Sequence, residues 1–236
     1  SNMDTTGTFQ VFDELNKRQS SYNNAEMILA ATLDGDGDRC LLVRVNSKAT
    51  GIEVVDGDQM LDALAMAASV ISPQIEGMVA ASIESDLSLL NSLQRLDAEL
   101  KAVETAVGDR WLAVALRDNL TSSSEPFRIG GEDSGHLLLT TPHPILDDEW
   151  RLVGDGIATL VASICALTTC SGKQGFPFGW KSRQSISPSD RSKWDGKNEN
   201  AEAVISLVED DWQRHDIDGE ENLLMMKGKI NGDKVS

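Results

Sequence analysis

Positive charge is scarce in this chain, cysteine scarcer still, and no apolar run is long enough to cross a bilayer. Lysine and arginine number 21 against 38 aspartates and glutamates, a formal net charge of -17 over 236 residues. A field of that sign repels a polyphosphate chain, which argues against a nucleic-acid partner. A small phosphorylated ligand is still admitted, because two or three arginines neutralise such a group locally. No stretch reaches the roughly 18 apolar residues of a membrane helix, and the first residues lack the apolar segment of a secretory leader, so no membrane partner is expected. Cys40, Cys165 and Cys170 form an odd set without repeated metal-ligand spacing. Buried, reduced thiols in a cytoplasmic protein are the expectation.

What is present supports a globular fold. The 40% of hydrophobic residues suffice for a sizeable core, in one large domain or two ordinary ones. "AEMILAATL", an Asp/Gly cluster and "CLLVRV" read as strand, tight loop, strand, with "NSKATG" as the next turn. Asp56 is placed to cap a helix carrying Leu61, Leu64, Ala65 and Ala68 on one face, and Pro73 ends it. "GMVAASI" reads as a buried strand, while "SDLSLLNSLQRLDAELKAV" and "RWLAVALRDNL" have helical periodicity. After the loop "TSSSEP", "RIGGEDSGHLLL" is again strand, loop, strand, and "GIATLVASICAL" is an apolar helix entered through Asp155. Strands alternating with helices argue for an α/β layered fold. Beyond Thr169 the chain turns rich in Gly, Ser, Pro and Lys, as a linker or irregular segment would be. "AEAVISLVEDDWQRH" reads as one amphipathic helix, followed by a polar, mobile end.

The chemistry concentrates at Asp34, Asp36 and Asp38, three acids at alternate positions with glycine between them. Like charges held so close repel, and a hard cation bound by alternating carboxylates would relieve that repulsion. An EF-hand calcium loop fails, because Arg39 stands where its turn glycine belongs and Val45 where its bidentate glutamate belongs. A solvated Asp/Gly turn and a Mg²⁺ site remain open on these residues alone.

The loop's companions carry more. "DGDGDR", Asp34 to Arg39, resembles the metal-binding loop of the α-D-phosphohexomutases. "GGEDSGH", Gly130 to His136, resembles that family's sugar-recognition loop, and "VGDRW", Val107 to Trp111, a segment shortly before it. "DGDQML" and "GDGIATLVA" also follow in the family's order, so the resemblance runs from about Ala31 to Leu167. It implies a mixed-sheet α/β layered fold, in which four such domains surround one cleft and a phosphoserine on the first exchanges its phosphoryl group with a bound hexose phosphate. It further implies that Asp34, Asp36 and Asp38 hold Mg²⁺, that Arg39 contacts phosphate or sugar, and that Glu132 and Ser134 read sugar hydroxyls. Asp109, Arg110 and His136 would join them at the hexose phosphate. From the residues alone, Asp109 and Arg110 serve equally as a structural ion pair, and His136 equally as a satisfied structural residue.

By the same resemblance, residues 1–48 form the end of a second domain with the metal loop. Residues 49–170 would be a complete third domain with the sugar loop, and residues 171–236 a linker and an atypical or truncated C-terminal segment. The family's serine loop has no counterpart: "TTPHP", Thr140 to Pro144, has proline in the serine's place. Nor has its phosphate-clamping loop, since "SRQSISPSDR" lacks the needed order and glycine. A phosphohexomutase-family chain acting on glucosamine, mannose or glucose phosphate is therefore expected, catalytically incomplete by itself and prone to self-association or to pairing with missing domains. The alternative is a non-catalytic sugar-phosphate binding or interaction module derived from the mutase fold.

Overall fold

Two apolar runs flanking the Asp/Gly cluster favour a hairpin, and β1 (Met27–Leu33) pairs antiparallel with β2 (Cys40–Asn46), Leu33 opposite Cys40. The Asp loop is the turn between them. β3 (Gly51–Val55) adds to the far side of β2. The computed structural model describes residues 14, 17, 27–46, 51–117, 127–146, 149–179, 190–194, 197–207, 212–215, 224–230 and 233–235. The turn expected at "NSKATG" and the loop "TSSSEP" fall on residues 47–50 and 121–126, and nearly all of "SRQSISPSDR" on 182–189. All three lie outside the described residues.

A second sheet follows, with order β5-β4-β6-β7-β8. β4 (Glu76–Ser82) lies between β5 (Glu99–Thr105) and β6 (Phe127–Gly131), parallel to both. β7 (Leu137–Pro142) and β8 (Trp150–Gly154) continue antiparallel. Chain order reverses about β4, and in open α/β sheets the crevice beyond the carboxyl ends of the strands at such a point is where ligands bind.

α1 (Gly57–Ile71) starts as expected. The Asp56 carboxylate accepts the Gln59 N–H and the Gln59 side chain accepts the Asp56 N–H, both at 3.1 Å, a reciprocal cap. It ends at Ser72, before Pro73. More than one face of it is buried. Leu61 and Ala65 pack on Val79, Ala81 and Ile129 of the sheet, while Ala63, Met66 and Ala67 pack against Ala166 and Cys170. Those last two belong to and cap α3 (Gly156–Thr169). α2 (Asp109–Leu116) covers the other face of the sheet, setting Leu112 and Leu116 against Ala80 and Leu138. The alternation of Val79, Ala80 and Ala81 thus supplies both faces, and the result is a helix-sheet-helix sandwich.

Three expectations are corrected. The helical pattern of 85–103 forms instead a short 3₁₀ helix, Leu90–Arg95, and then β5. The Asp86 carboxylate accepts from Ser88 N and Oγ at 2.9 and 2.8 Å, closing a turn where a helix would have started. The parallel pairing of β5 with β4 then outweighs the weak helical preference of "ELKAVET". The stretch after Thr169 also departs from a linker as far as Gly179: Phe176 is buried in the main core, with its N–H on Asp62 Oδ2 at 3.1 Å and Gly179 N–H on Asp86 at 2.9 Å. Finally, the last expected helix is short. α4 (Glu199–Ile205) gives way to β9 (Gln213–His215), which pairs with β10 (Met225–Ile230), itself paired with β11 (Asp233–Val235).

The chain divides into two compact units, Ser1–Trp180 and Lys181–Ser236, and the second holds α4 and the β9-β10-β11 sheet. Among the described residues no helix is long and apolar enough to cross a membrane.

The thiols test this packing. Cys40 and Cys170 are buried and Cys165 is exposed. Burial pushes the Cys40 thiol up to about 11, and also raises that of Cys170. A maleimide or disulfide reagent at pH 8 is expected to modify Cys165 alone in the folded chain, the other two reacting only after denaturation. Native-state labelling read by mass spectrometry checks it.

Candidate functional site

Four stretches far apart in sequence meet at one end of the first unit, through backbone hydrogen bonds. Cys40 N–H donates to Gly135 O at 3.0 Å, and Arg39 and His136 form an antiparallel bridge, so the end of the Asp loop is zipped to the 132–136 loop. Gly57 N–H, at the start of α1, donates to Asp133 O at 3.1 Å. Gly156 N–H, at the start of α3, donates to Gly37 O at 2.8 Å. These helix-entry glycines have a steric reason. A Cβ at Gly57 would collide with the Glu132 carbonyl, and one at Gly156 would lie 2.7 Å from Gly37 O and 2.8 Å from Arg39 O. Gly135 combines both demands, with φ of +89° and a Cβ direction blocked by the Cys40 carbonyl.

Within the Asp loop, Asp34 Oδ1 accepts Gly37 N–H at 3.1 Å and Arg39 N–H at 3.3 Å, which folds the loop back on itself. Arg39 Nε lies 3.7 Å from Asp34 Oδ2 and 4.0 Å from Asp38 Oδ1. Desolvation pushes the Asp34 carboxyl up, but the Arg39 N–H, a hydrogen bond with Asp38, the Gly37 N–H and the Arg39 charge together hold it below its ordinary value. One ligand atom each from Asp34, Asp36 and Asp38 lies within 4.8 Å of the others. Asp38 Oδ1 is buried and accepts no hydrogen bond. A carboxylate oxygen left so, beside two further carboxylates, fits a hard divalent cation better than it fits a solvated turn.

The second loop leaves the carboxyl end of β6. Glu132 is buried, and its Oε1 accepts Gly108 N–H at 2.7 Å from the loop that follows β5. β5 and β6 flank β4, so this bond spans the crevice at the reversal of strand order. Ser134 Oγ lies 3.4 Å from Glu132 Oε2. His136 is buried, its Nδ1 3.1 Å from Asp38 Oδ2.

Asp34, Asp36, Asp38, Arg39, Glu132, Ser134 and His136 are thus brought together. Asp109 and Arg110 follow Gly108 at the start of α2. Both are exposed; Asp109 Oδ1 accepts the Arg110 N–H at 2.7 Å, and the Arg110 guanidinium sits 4.4 Å from the Trp111 ring centroid. Sequence reasoning missed the part of Gly108, whose backbone at φ of +117° presents its N–H to Glu132. It also missed the docking of both helix starts. The signal was there in the Asp-Gly pairs at 56–57 and 155–156, which serve at once as cap and as point of closest approach.

Gly156→Ala tests that docking by its sign. In an unobstructed helix, alanine for glycine gains roughly 1 kcal/mol. Here the added methyl meets two carbonyl oxygens of the Asp loop, and a loss of about 1–3 kcal/mol is expected from denaturant unfolding. Amide shifts should change at Gly37 and Arg39.

Residues 56–175 match the family described as phosphoglucomutase/phosphomannomutase, alpha/beta/alpha domain III. The chain is 38% identical over 139 residues to a phosphoglucosamine mutase of Shewanella denitrificans, covering 59% of this chain and 26% of that protein. It is 29% identical over 192 residues to a phosphoglucosamine mutase of Bacillus velezensis, covering 79% of this chain and 37% of the relative. Among solved structures, N-acetylglucosamine-phosphate mutase in its product complex superposes with a TM-score of 0.53 at 16% identity, over 81% of this chain and 43% of that one. That last likeness is one of fold. The chain spans about a quarter to two fifths of the length of these curated relatives.

Proposed function

Because the chain belongs to the phosphoglucomutase/phosphomannomutase family, with the α/β/α domain III pattern over residues 56–175, we propose that it supplies the cation-binding and sugar-reading half of a hexose-phosphate mutase site. The observation that carries this reading is the zipper of Arg39 and Cys40 onto Gly135 and His136, which sets three carboxylates and the 132–136 loop on one rim. A glucosamine phosphate is the favoured ligand, since the curated relatives described above bear the name phosphoglucosamine mutase.

The roles follow from donor and acceptor chemistry. Asp34, Asp36 and Asp38 hold Mg²⁺, which when bound supplies positive charge against phosphoryl oxygens. Arg39, half-exposed and already close to two of the acids, offers a forked donor to a phosphate or sugar oxygen beside them. Glu132 is fixed on one side by Gly108, which leaves Oε2, with the Ser134 hydroxyl, to accept from and donate to vicinal sugar hydroxyls. Asp109 and Arg110 stand at the exposed start of α2, where they extend the site toward the ligand's charged end. Residues 1–48 are the end of a second mutase domain and 49–170 the third, and within residues 1–236 the family's phosphoserine loop has no counterpart. The chain alone positions a substrate without having a group to transfer.

Calorimetric titration with Mg²⁺ is expected to show one saturable site in this chain, and none in the Asp34→Asn/Asp36→Asn/Asp38→Asn variant at equal folded content. Equal binding in the two would remove the cation site. A coupled assay for hexose-phosphate isomerisation should give no turnover with this chain alone, and turnover at a rate typical of an enzyme would overturn the claim of incompleteness.

A further inference from the structure

His136 belongs by its sequence neighbours to the loop that would read sugar, but its side chain is 7% exposed and pairs with Asp38. Nδ1 lies 3.1 Å from Asp38 Oδ2. Nε2 is buried without a hydrogen-bond partner. Behind the ring stands Gly154, the last residue of β8, where a Cβ would come 2.8 Å from His136 Nε2 and 3.0 Å from Cε1. The imidazole is therefore held between the backbone of β8 and one oxygen of Asp38, while the other oxygen of that carboxylate is buried, accepts no hydrogen bond and has Arg39 Nε at 4.0 Å. The main chain fixes the arrangement, because Arg39 and His136 are bridged and Cys40 N–H is bonded to Gly135 O.

From this geometry we infer that His136 is a positioning residue for the cation: its Nδ1–H holds Oδ2 of Asp38 so that Oδ1 is presented to the metal, and Gly154 keeps the ring in place by having no side chain. The inference rests on the reading of Asp34, Asp36 and Asp38 as cation ligands. It separates His136 from Glu132 and Ser134, which keep the sugar-facing role. A carboxylate fixed by a hydrogen bond to its second oxygen loses less rotational freedom on binding a metal, and removing such outer partners typically weakens metal affinity about 10- to 100-fold.

Mn²⁺, read by the electron paramagnetic resonance of the free ion, is the probe, with the full chain and three variants. His136→Phe keeps an aromatic ring and removes the donor. Gly154→Ala keeps the donor and displaces it. His136→Asn restores a short N–H donor. The first two are expected to weaken Mn²⁺ binding about 10- to 100-fold, and the third to recover part of the loss. Pulsed resonance on the unmutated chain should show no nitrogen coupling to the bound ion. Failure of the unmutated chain to bind Mn²⁺ overturns the cation reading and this inference with it. Binding in the unmutated chain with unchanged affinity in folded His136→Phe or Gly154→Ala overturns the inference alone, as does a nitrogen coupling, which would make the imidazole a ligand. If His136→Phe does not fold, Gly154→Ala and His136→Asn carry the same comparison.

Discussion

The backbone hydrogen bond from Cys40 N–H to Gly135 O at 3.0 Å, within the antiparallel bridge of Arg39 and His136, ties the hairpin of the first sheet to the loop after β6 of the second. The two chain segments are nearly a hundred residues apart, so the contact must be set by the core rather than by local preference. Cys40, Leu42, Val55, Met60 and Leu137 form one buried cluster in which β2, β3, α1 and β7 meet directly below the loops. Apolar burial brings the strand ends together, and the polar backbone groups left there pair across the gap. Glycine is what lets them approach, at Gly135 and at both helix entries.

On that support stands a concentration of acid in an already acidic chain. Asp34, Asp36 and Asp38 have ligand atoms within 4.8 Å of one another, and Arg39 is the basic residue paired with two of them. The loop satisfies Asp34 internally, through two backbone N–H groups, and leaves an oxygen of Asp38 buried and unbonded. The three acids are therefore not equivalent: one braces the loop, and another is held by an imidazole with an acceptor to spare. Contrast Asp58 and Asp62 of α1, which are also buried. Asp58 accepts the Asp86 N–H, while Asp62 pairs with Arg95 and accepts the Phe176 N–H, so these acids anchor loops as part of the scaffold. For Asp62, desolvation raises the carboxyl despite that partner.

Much of this was legible before any coordinates. The hairpin around the Asp loop, the caps at Asp56 and Asp155, and α2 follow from period and capping chemistry, because each rests on neighbours in sequence. The Asp loop and the 132–136 loop were legible through their resemblance to the family's motifs. What eluded the sequence was set by distant partners. "ELKAVET" becomes a strand only because β4 offers an edge, and Phe176 joins the core only because Asp62 and Asp86 receive the backbone around it. Likewise, nothing local shows that the His136 ring lies beside Asp38 and Gly154.

If the acid loop and the 132–136 loop form one site, a paramagnetic ion bound by the first must be felt at the second. The direct measurement is proton-nitrogen spectroscopy of the chain during addition of substoichiometric Mn²⁺. Amide signals of residues 35–40 and 132–136 should broaden together and first, while those of Glu76 and Gly77, at the amino end of β4, keep their intensity at the same ratio. Broadening confined to other acidic surfaces, or to residues 35–40 with 132–136 unaffected, would contradict a shared site.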